Sequence, residues 1–250
     1  MVCLKRDNHD FHILPDNELL LLSYDSVPAD LSAYGLDDYI DESVIQIVDR
    51  DSKQVKFEWR SLNEIQFESQ LYQPLRNDYA HINSAVIDWD GNILASLRGI
   101  SQVVKIDRST GQILWKFGGR ENQFEITNDP YIGACWQHDV SRLDNGNILI
   151  FDNGRQCLPF DSREEYTRIT EYKLDEVNRQ AELVWSYQQD DFYAAALGSA
   201  ERLENGNTLI GWGRGPGVLL TEVNPYKQKV LEMKMLSPGY LTYRVRRFSQ

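Results

Sequence analysis

The chain repeats one hairpin pattern four times, and this repeat constrains its fold more than any other feature. Each repeat has a short strand pattern, a tight turn and a second, apolar strand pattern. Asn-Gly and Asp-Gly turns favour the positive φ angles that tight β-hairpins require. A repeat of this kind predicts units that bury their faces on each other. The turn positions are Asn17, Gly91, Gly146 and Gly206, within residues 9–25, 81–99, 138–154 and 198–213.

A second hairpin pattern follows each of the first ones, with apolar and polar residues in alternation. Period-two alternation indicates half-buried strands. Four units of four strands predict an all-β fold of the β-propeller type, as a single domain over residues 1–250. The units are expected at about 9–60, 81–118, 138–187 and 198–235, with a closing strand at 239–250. The inserts at 26–43, 60–80, 119–136 and 154–166 are predicted to be loops.

The composition restricts the possible partners. A chain of 250 residues that is 42% hydrophobic can bury a sizeable core. Its net charge of −12 argues against a broad surface for nucleic acid or anionic membranes. No run of about 18 apolar residues occurs, which predicts no membrane insertion. Lys5, Arg6 and Asp7 interrupt any signal-peptide pattern, and the sequence fixes neither the compartment nor the oligomeric state.

The chain has three cysteines and no CxxC pair, so it carries no zinc or thioredoxin signature. Cys135 and Cys157 lie on either side of the third hairpin. We expect them to be free thiols, with a disulfide between them as the alternative.

Three of the four histidines share one register. His138 and His9 lie eight residues before the turn position of their repeats, and His81 lies ten before its own. An offset of two residues preserves the face of a strand. The three rings are therefore predicted to project from the same face of the innermost strands. The fourth repeat has Gly198 at this register, and His12 falls on the opposite face, where we expect it to be peripheral.

Arg98 lies seven residues after its turn position, near the predicted level of the histidines. Its guanidinium group offers a fixed fork of donors suited to phosphate or sulfate. Histidine can donate, accept or attack as a nucleophile. The set predicts an anion site. A three-histidine zinc site is the alternative, but the fixed positive charge of Arg98 disfavours a metal, and we predict none.

The segments "HINSAVIDWDGNILASLRGISQVVKIDRSTGQILWKFGG" and "WQHDVSRLDNGNILIFDNG" resemble the arylsulfotransferase family. The resemblance is strongest over residues 78–187 and extends over 8–250. It implies a six-bladed β-propeller, against four units visible here. On this basis we expect the chain to be an N-terminally shortened form of a larger propeller.

The resemblance also implies an activity: transfer of a sulfuryl group from an aryl sulfate ester to a phenolic acceptor, without a nucleotide donor or other cofactor. The reaction would be ping-pong, through a sulfohistidine. The family's nucleophile maps onto His138, its supporting histidines onto His81 and His9, and its arginine onto Arg98. Family members often carry a histidine after that arginine, where this chain has Gly99. The resemblance favours a periplasmic or secreted location.

Further substrate-binding residues are expected around these groups. Asn83 and Asn153 are candidates to donate hydrogen bonds to the sulfuryl group. Tyr131, Trp136 and Phe160 lie in predicted loops, where they could stack on the aromatic leaving group. Packing between blades is the equal alternative for these aromatic residues.

Two other functions fit a propeller. One is a non-catalytic module that binds ligands or proteins, because a fold does not fix a function. The other is a metal-dependent hydrolase or lactonase. Sensitivity to a chelator would separate the metal-dependent enzyme from a sulfotransferase.

Overall fold

The computed structural model describes residues 5–67, 77–154, 165–236 and 241–248. The chain divides into two compact units, Met1–Asn122 and Gln123–Gln250. Within the described ranges, helix is confined to α1 (Ser61–Glu64) and to short 3-10 turns. The remaining regular structure is strand, which confirms the all-β prediction. No helix in these ranges is long and apolar enough to span a membrane.

The first unit contains two antiparallel sheets, each with its four strands in sequence order. One sheet consists of β1 (Lys5–Leu14), β2 (Glu18–Pro28), β3 (Tyr39–Asp49) and β4 (Val55–Arg60). The other consists of β5 (Ile82–Ile87), β6 (Ile93–Leu97), β7 (Gln102–Ile106) and β8 (Ile113–Phe117). Apolar residues from both sheets form one core, with Ile45 and Ile82 fully buried.

The second unit contains the other two sheets. One consists of β10 (His138–Arg142), β11 (Ile148–Asp152), β12 (Arg168–Asp175) and β13 (Gln180–Gln188), and the other of β14 (Ser199–Arg202), β15 (Thr208–Gly211), β16 (Val218–Val223) and β17 (Lys229–Lys234). A short strand, β9 (Glu125–Thr127), joins β13 in parallel. Their shared core includes Phe151 and Trp212.

All four sheets contain an antiparallel four-stranded meander, the blade unit of β-propellers. The prediction of an all-β, propeller-type fold is therefore confirmed, while the number of six blades and the single domain stay predictions. Residues 239–240 and 249–250 of the predicted closing strand lie outside the described residues. Residues 241–248 are described and form no strand ladder, although the Gly198 N–H donates to the Tyr243 carbonyl.

The first turn of each of the four repeats has the predicted backbone geometry. Gly91, Gly146 and Gly206 have φ angles of 84°, 89° and 82°, a region that side chains disfavour. Asn17 takes the matching place in the first sheet with φ 61°, which asparagine tolerates better than most residues. The turn chemistry therefore set the register of the hairpins.

The predicted loops are partly wrong. The loop predicted at 26–43 is shorter at both ends, because β2 runs to Pro28 and β3 begins at Tyr39. Ser26 pairs with Asp41 there, and the serine hydroxyl donates to the carboxylate at 2.5 Å. This polar cross-strand pair extends the ladder without an apolar pattern.

Two other inserts also contain regular structure: 60–80 holds α1, and 119–136 holds β9. Residues 68–76 and 155–164 of the inserts lie outside the described residues.

A register shift marks the first strand of the three sheets that carry the aligned histidines, by one residue in β5 and β10 and by three residues in β1. The register shifts between Arg6 and Phe11 in β1, between Ile82 and Ser84 in β5, and between His138 and Val140 in β10. The four residues of β14 pair with β15 without a shift. β-Bulges re-aim side chains and are frequent next to functional sites. The strict alternation assumed from the sequence therefore does not hold at the histidines.

Candidate functional site

In the first unit, His9 and His81 lie against each other. Their ring centroids are 4.9 Å apart with an interplanar angle of 79°. Tyr24 lies beside both rings, at 6.4 Å from His9 and 6.3 Å from His81. Its hydroxyl donates to the Ile82 carbonyl at 3.1 Å, which fixes the phenol at the start of β5. Two of the predicted site histidines are thus adjacent.

His81 and Arg98 meet through the backbone. His81 has a positive φ of 48° just before β5, and its carbonyl accepts the Arg98 N–H at 3.0 Å. The His81 Nδ1 also contacts the Asp78 carboxylate. The sequence pattern placed Arg98 on the second strand of its hairpin, but β6 ends at Leu97. Arg98 instead begins a 3-10 turn and is 8% exposed. The backbone of Arg98 therefore lies directly beside that of His81.

Asn83 and Gly99 occupy special places beside these residues. Asn83 is the residue at the β5 register shift and is fully buried. A Cβ atom at Gly99 would lie 2.1 Å from the Tyr79 carbonyl oxygen, far inside van der Waals contact. This chain therefore has no room for the histidine that the family often carries after the arginine.

His138 begins β10 in the second unit and is 2% exposed. Its Nδ1 is 2.7 Å from Asn153 Oδ1, and its Nε2 is 3.1 Å from the backbone nitrogen of Leu197. A backbone N–H can only donate, so Nε2 is the acceptor and carries no proton. The hydrogen-bond network thus assigns a neutral ring with its proton on Nδ1, donated to Asn153.

Asn153 links this ring to the segment before β14. Its Nδ2 donates to the carbonyls of Ala194 at 2.8 Å and Leu197 at 3.0 Å. These two bonds fix the orientation of the amide, so Oδ1 must face the histidine. The side chain predicted to donate to the sulfuryl group is instead an acceptor that sets the tautomer of His138.

A buried ionic cluster lies behind this site. Arg168 donates through Nη1 to Asp129 Oδ1 at 2.6 Å and through Nε to Asp152 Oδ2 at 2.8 Å. All three side chains are at most 3% exposed. Asp129 also accepts the backbone N–H of Gly133, and Asp152 accepts that of Cys135. The cluster thereby ties the loop before His138 to β11 and β12.

Burial and the charge of Arg168 shift the pKa values of the two carboxyl groups in opposite directions. Burial raises the pKa of Asp152 above its ordinary value, despite the charge of Arg168. Burial also acts to raise the pKa of Asp129, but the hydrogen bonds and charge of Arg168 outweigh it, and that pKa is lowered. Burial raises the pKa of Tyr172 well above its usual range, so its hydroxyl stays protonated and donates to Asp129 at 2.6 Å.

The predicted aromatic residues have structural contacts. The Tyr131 ring lies 4.6 Å from the Arg168 guanidinium carbon and 4.0 Å from the Tyr166 ring centroid. Trp136 is buried, at 3% exposure. Stacking of either ring on a substrate stays a prediction, and Phe160 lies outside the described residues.

Asp139 and the C-terminal residues form a contact that the sequence did not suggest. Asp139 has φ 50° at the β10 shift, and its carboxylate accepts two hydrogen bonds from Arg246, at 2.8 and 3.0 Å. It also accepts the Ala200 N–H at 3.0 Å. Strict strand alternation would point Asp139 away from His138 and leave it without a role, but the bulge removes that premise.

The cysteine expectation is wrong for Cys135, which is disulfide-bonded. Cys3 and Cys157 lie outside the described residues. Among the residues that are described, no group of three or more His, Cys, Asp and Glu side chains could hold a metal ion. His12, predicted to be peripheral, pairs with Asp10 at 3.1 Å.

The residues missed by sequence reasoning are Asp129, Arg168, Leu197 and Arg246. Arg168 had one usable signal, since it opens a strand that is otherwise suited to burial. A charged residue in such a place needs a buried partner. Leu197 acts through its backbone, which leaves no signal in the side-chain pattern.

Known proteins resemble this chain in sequence and in fold. A sequence model described as Arylsulfotransferase (ASST) matches residues 7–244. The arylsulfate sulfotransferase AssT of Escherichia coli O6:H1 strain CFT073 is 29% identical over 174 residues, which cover 56% of this chain and 28% of that protein. AssT of Lelliottia amnigena is 31% identical over 94 residues, which cover 34% of this chain and 15% of that protein. The chain thus spans under a third of the length of either relative.

Among solved structures, a protein of unknown function from Bacteroides caccae has a TM-score of 0.56 at 15% identity, covering 94% of this chain and 69% of that one. Virginiamycin B lyase from Staphylococcus aureus has a TM-score of 0.51 at 10% identity, covering 94% and 59%. At these identities the likeness concerns the fold alone. The family model includes every predicted site residue and nearly the whole sequence, and the chain belongs to the arylsulfotransferase family.

Proposed function

We propose that this chain transfers a sulfuryl group from an aryl sulfate ester to a phenolic acceptor, with His138 as the nucleophile of a ping-pong reaction. Family membership supports the class of reaction. The observation that carries the choice of nucleophile is the bonding of the His138 ring, whose Nε2 has a lone pair and whose Nδ1 holds the proton.

In the first step, the Nε2 lone pair attacks sulfur, the bond from sulfur to the aryl oxygen breaks, and the aryloxide leaves with the electron pair. The product is a sulfohistidine whose ring keeps the Nδ1 proton and is positively charged. Asn153 Oδ1 accepts that proton's hydrogen bond and stabilises the charge. In the second step, a phenol oxygen attacks sulfur, the bond from sulfur to Nε2 breaks, and its electron pair returns to the ring, which becomes neutral again. The phenol proton passes to the histidine that protonated the aryloxide in the first step.

Charge develops on the peripheral sulfuryl oxygens and on the leaving oxygen. Positioned cations and hydrogen-bond donors stabilise such a transition state most effectively. We assign this role to Arg98, supported by His81 and His9. One of the two histidines would protonate the departing aryloxide. The reaction as proposed uses no nucleotide donor.

One observation favours the alternative of a non-catalytic binding module. His138 is almost fully buried, and the Leu197 N–H occupies the Nε2 lone pair that must attack. Catalysis therefore requires the segment at Leu197 to withdraw by enough to admit sulfur. A binding module would keep that hydrogen bond in every state.

The deciding experiment is incubation of the protein with 4-nitrophenyl sulfate, followed by mass spectrometry of the His138 peptide. We expect an adduct of about 80 Da, release of nitrophenol, and loss of the adduct when a phenol is added. His138→Ala should lower turnover by at least about 1000-fold, because loss of a nucleophile removes the covalent route.

His12→Ala is the matched control, since His12 is a partly exposed histidine paired with Asp10. It should leave turnover unchanged. His138→Gln keeps a polar side chain at this buried position and serves where the alanine variant unfolds. Turnover that survives in a folded His138→Gln protein would remove His138 from the role of nucleophile. Activity lost on adding a chelator would favour a metal-dependent hydrolase.

A further inference from the structure

The C-terminal segment, residues 241–248, lies against the strand of His138 through β14. The Gly198 N–H donates to the Tyr243 carbonyl at 3.2 Å, and the Val245 N–H donates to Ser199 Oγ at 2.8 Å. Val245 also packs on β15, because a Cβ atom at Gly211 would lie 2.7 Å from its methyl group. The segment is therefore held by backbone bonds and by packing.

From this position, Arg246 reaches across β14 to Asp139. Its two Nη atoms bind the two carboxylate oxygens at 3.0 and 2.8 Å, which is the bidentate geometry of a strong pair. Arg244 lies 3.6 Å from the same carboxylate. The Asp139 side chain is only 2% exposed, so the carboxylate depends on these charges.

Asp139 is the residue at the bulge that aims His138. It follows the histidine directly and has a left-handed backbone with φ 50°. Outside glycine, such a backbone is strained and persists only where surrounding contacts hold it. The carboxylate is held at both oxygens, by Arg246 and by the Ala200 N–H. These contacts supply the necessary restraint.

The segment before β14 and the C-terminal segment also contact the ring of His138. The Leu197 N–H binds Nε2, three residues before the Ala200 N–H that binds Asp139. The Tyr243 ring lies 6.4 Å from the His138 ring, edge-on at 73°. Displacement of the C-terminal segment would thus disturb both the bulge and the partner of Nε2.

We propose that Arg246 is a positioning residue for His138: its fork on Asp139 fixes the bulge that presents the ring in one tautomer. The inference rests on the proposed function for its kinetic consequence. The tautomer itself can be measured without any activity.

The experiment compares Arg246→Ala with Arg247→Ala, a matched control in the same segment. Arg247 binds Glu222 at 2.6 Å and does not contact Asp139 in the described hydrogen bonds. The first readout is the ¹⁵N spectrum of the His138 ring. We expect one protonated and one unprotonated nitrogen in the parent protein and in Arg247→Ala, and averaged signals in Arg246→Ala.

The second readout is the single-turnover rate of the His138 adduct with 4-nitrophenyl sulfate. Arg246→Ala should slow it about 100-fold, the cost of a reacting group displaced by about 1 Å, with little change in KM. Arg246→Lys keeps the charge but not the fork, so its rate should be intermediate. Added guanidinium ion should restore part of the rate of Arg246→Ala.

A double-mutant cycle with Asp139→Asn completes the test. If Arg246 acts through Asp139, the double variant should be no slower than Arg246→Ala alone. Fully additive losses would overturn the proposal, and so would ring signals in Arg246→Ala that match those of Arg247→Ala. If the parent protein forms no adduct, the proposed function fails, but the ring signals still decide the role of Arg246. Arg246→Lys replaces the alanine variant if the latter unfolds.

Discussion

The sheets of His81 and His138 share a four-stranded meander, but they carry different residues at a pair of buried positions. In the first, Leu97 pairs with Gln102 at the inner ends of β6 and β7. In the second, Asp152 pairs with Arg168 at the same place on β11 and β12. One sheet thus has a neutral pair where the other has a buried ion pair that continues to Asp129.

The next residue along the strand differs as well. Seven positions after the turn, the first sheet has Arg98 and the second has Asn153. The arginine is a permanent cation beside the backbone of His81, whereas the asparagine holds the ring of His138 as a neutral base. The comparison teaches that the same position of the repeat holds a permanent cation in one sheet and the hydrogen-bond acceptor of a histidine ring in the other, which under the proposed function are the anion-binding group and the support of the nucleophile.

The largest expected effect is a loss of stability when the charged member of the buried pair in the second sheet is removed. Arg168→Ala should lower the free energy of unfolding by about 3–5 kcal/mol at pH 7, because two buried carboxylates lose their cation. Without Arg168, both carboxyl groups should have folded-state pKa values above their unfolded values. The variant should therefore gain stability relative to the parent as the pH falls from about 7 to 5.

Denaturant unfolding at the two pH values measures this effect. Gln102→Ala is the matched control in the first sheet, since it removes a buried polar side chain of no charge. Its loss of stability should be the same at both pH values. A loss for Arg168→Ala that does not change with pH would mean that the ion pair does not distinguish the two sheets.

The next effect concerns the cation. Arg98→Ala should lower kcat by about 10²–10³-fold, or 2.7–4 kcal/mol, as for loss of a donor to a developing oxyanion. Initial rates with 4-nitrophenyl sulfate measure the loss. Arg108→Ala is the control, because Arg108 forms a partly exposed pair with Glu18, a class of contact worth little. A near-normal rate in Arg98→Ala would show that the anion binds elsewhere.

The smallest effects should come from the partners of the two rings. Asn153→Ala removes the acceptor of the Nδ1 proton and should slow adduct formation by about 10²-fold, since the ring loses its fixed tautomer and orientation. Asp78→Asn should slow it only about 10-fold, the loss of one charge-assisted hydrogen bond. If the Asp78 variant proved the slower of the two, the assignment of nucleophile and support would have to be exchanged.

The sequence allowed the turns and strand pairs to be predicted, because turn chemistry and alternation are local properties. The Asn-Gly dipeptide at 145–146 is by itself enough to predict a positive φ for Gly146. The same local signals cannot show that Ser26 extends β2 through a polar pair, or that β9 adds to an edge. Those features depend on segments that are distant in sequence.

The candidate site was predictable only in its residue types. His9 and His81 were expected together from the register of neighbouring repeats, and they are adjacent, but the strict alternation behind that expectation is interrupted by the register shifts of β1 and β5. The partners of His138 were not predictable, because Leu197 acts through its backbone and Arg246 arrives from the end of the chain. The bulges could not be predicted either. Each lies at the start of a strand, where too few residues precede it for a break in the alternation of apolar and polar residues to be recognised.

The register shifts have a consequence for how such a chain diversifies. β14 shows that the first strand of a sheet pairs well without the extra residue seen in β5 and β10, so its insertion is compatible with an otherwise intact ladder. Gain or loss of a single codon at that point would therefore re-aim the side chain at the start of the strand and leave the rest of the sheet in place. Chemistry could spread or disappear among the repeats of this architecture without any new fold having to arise.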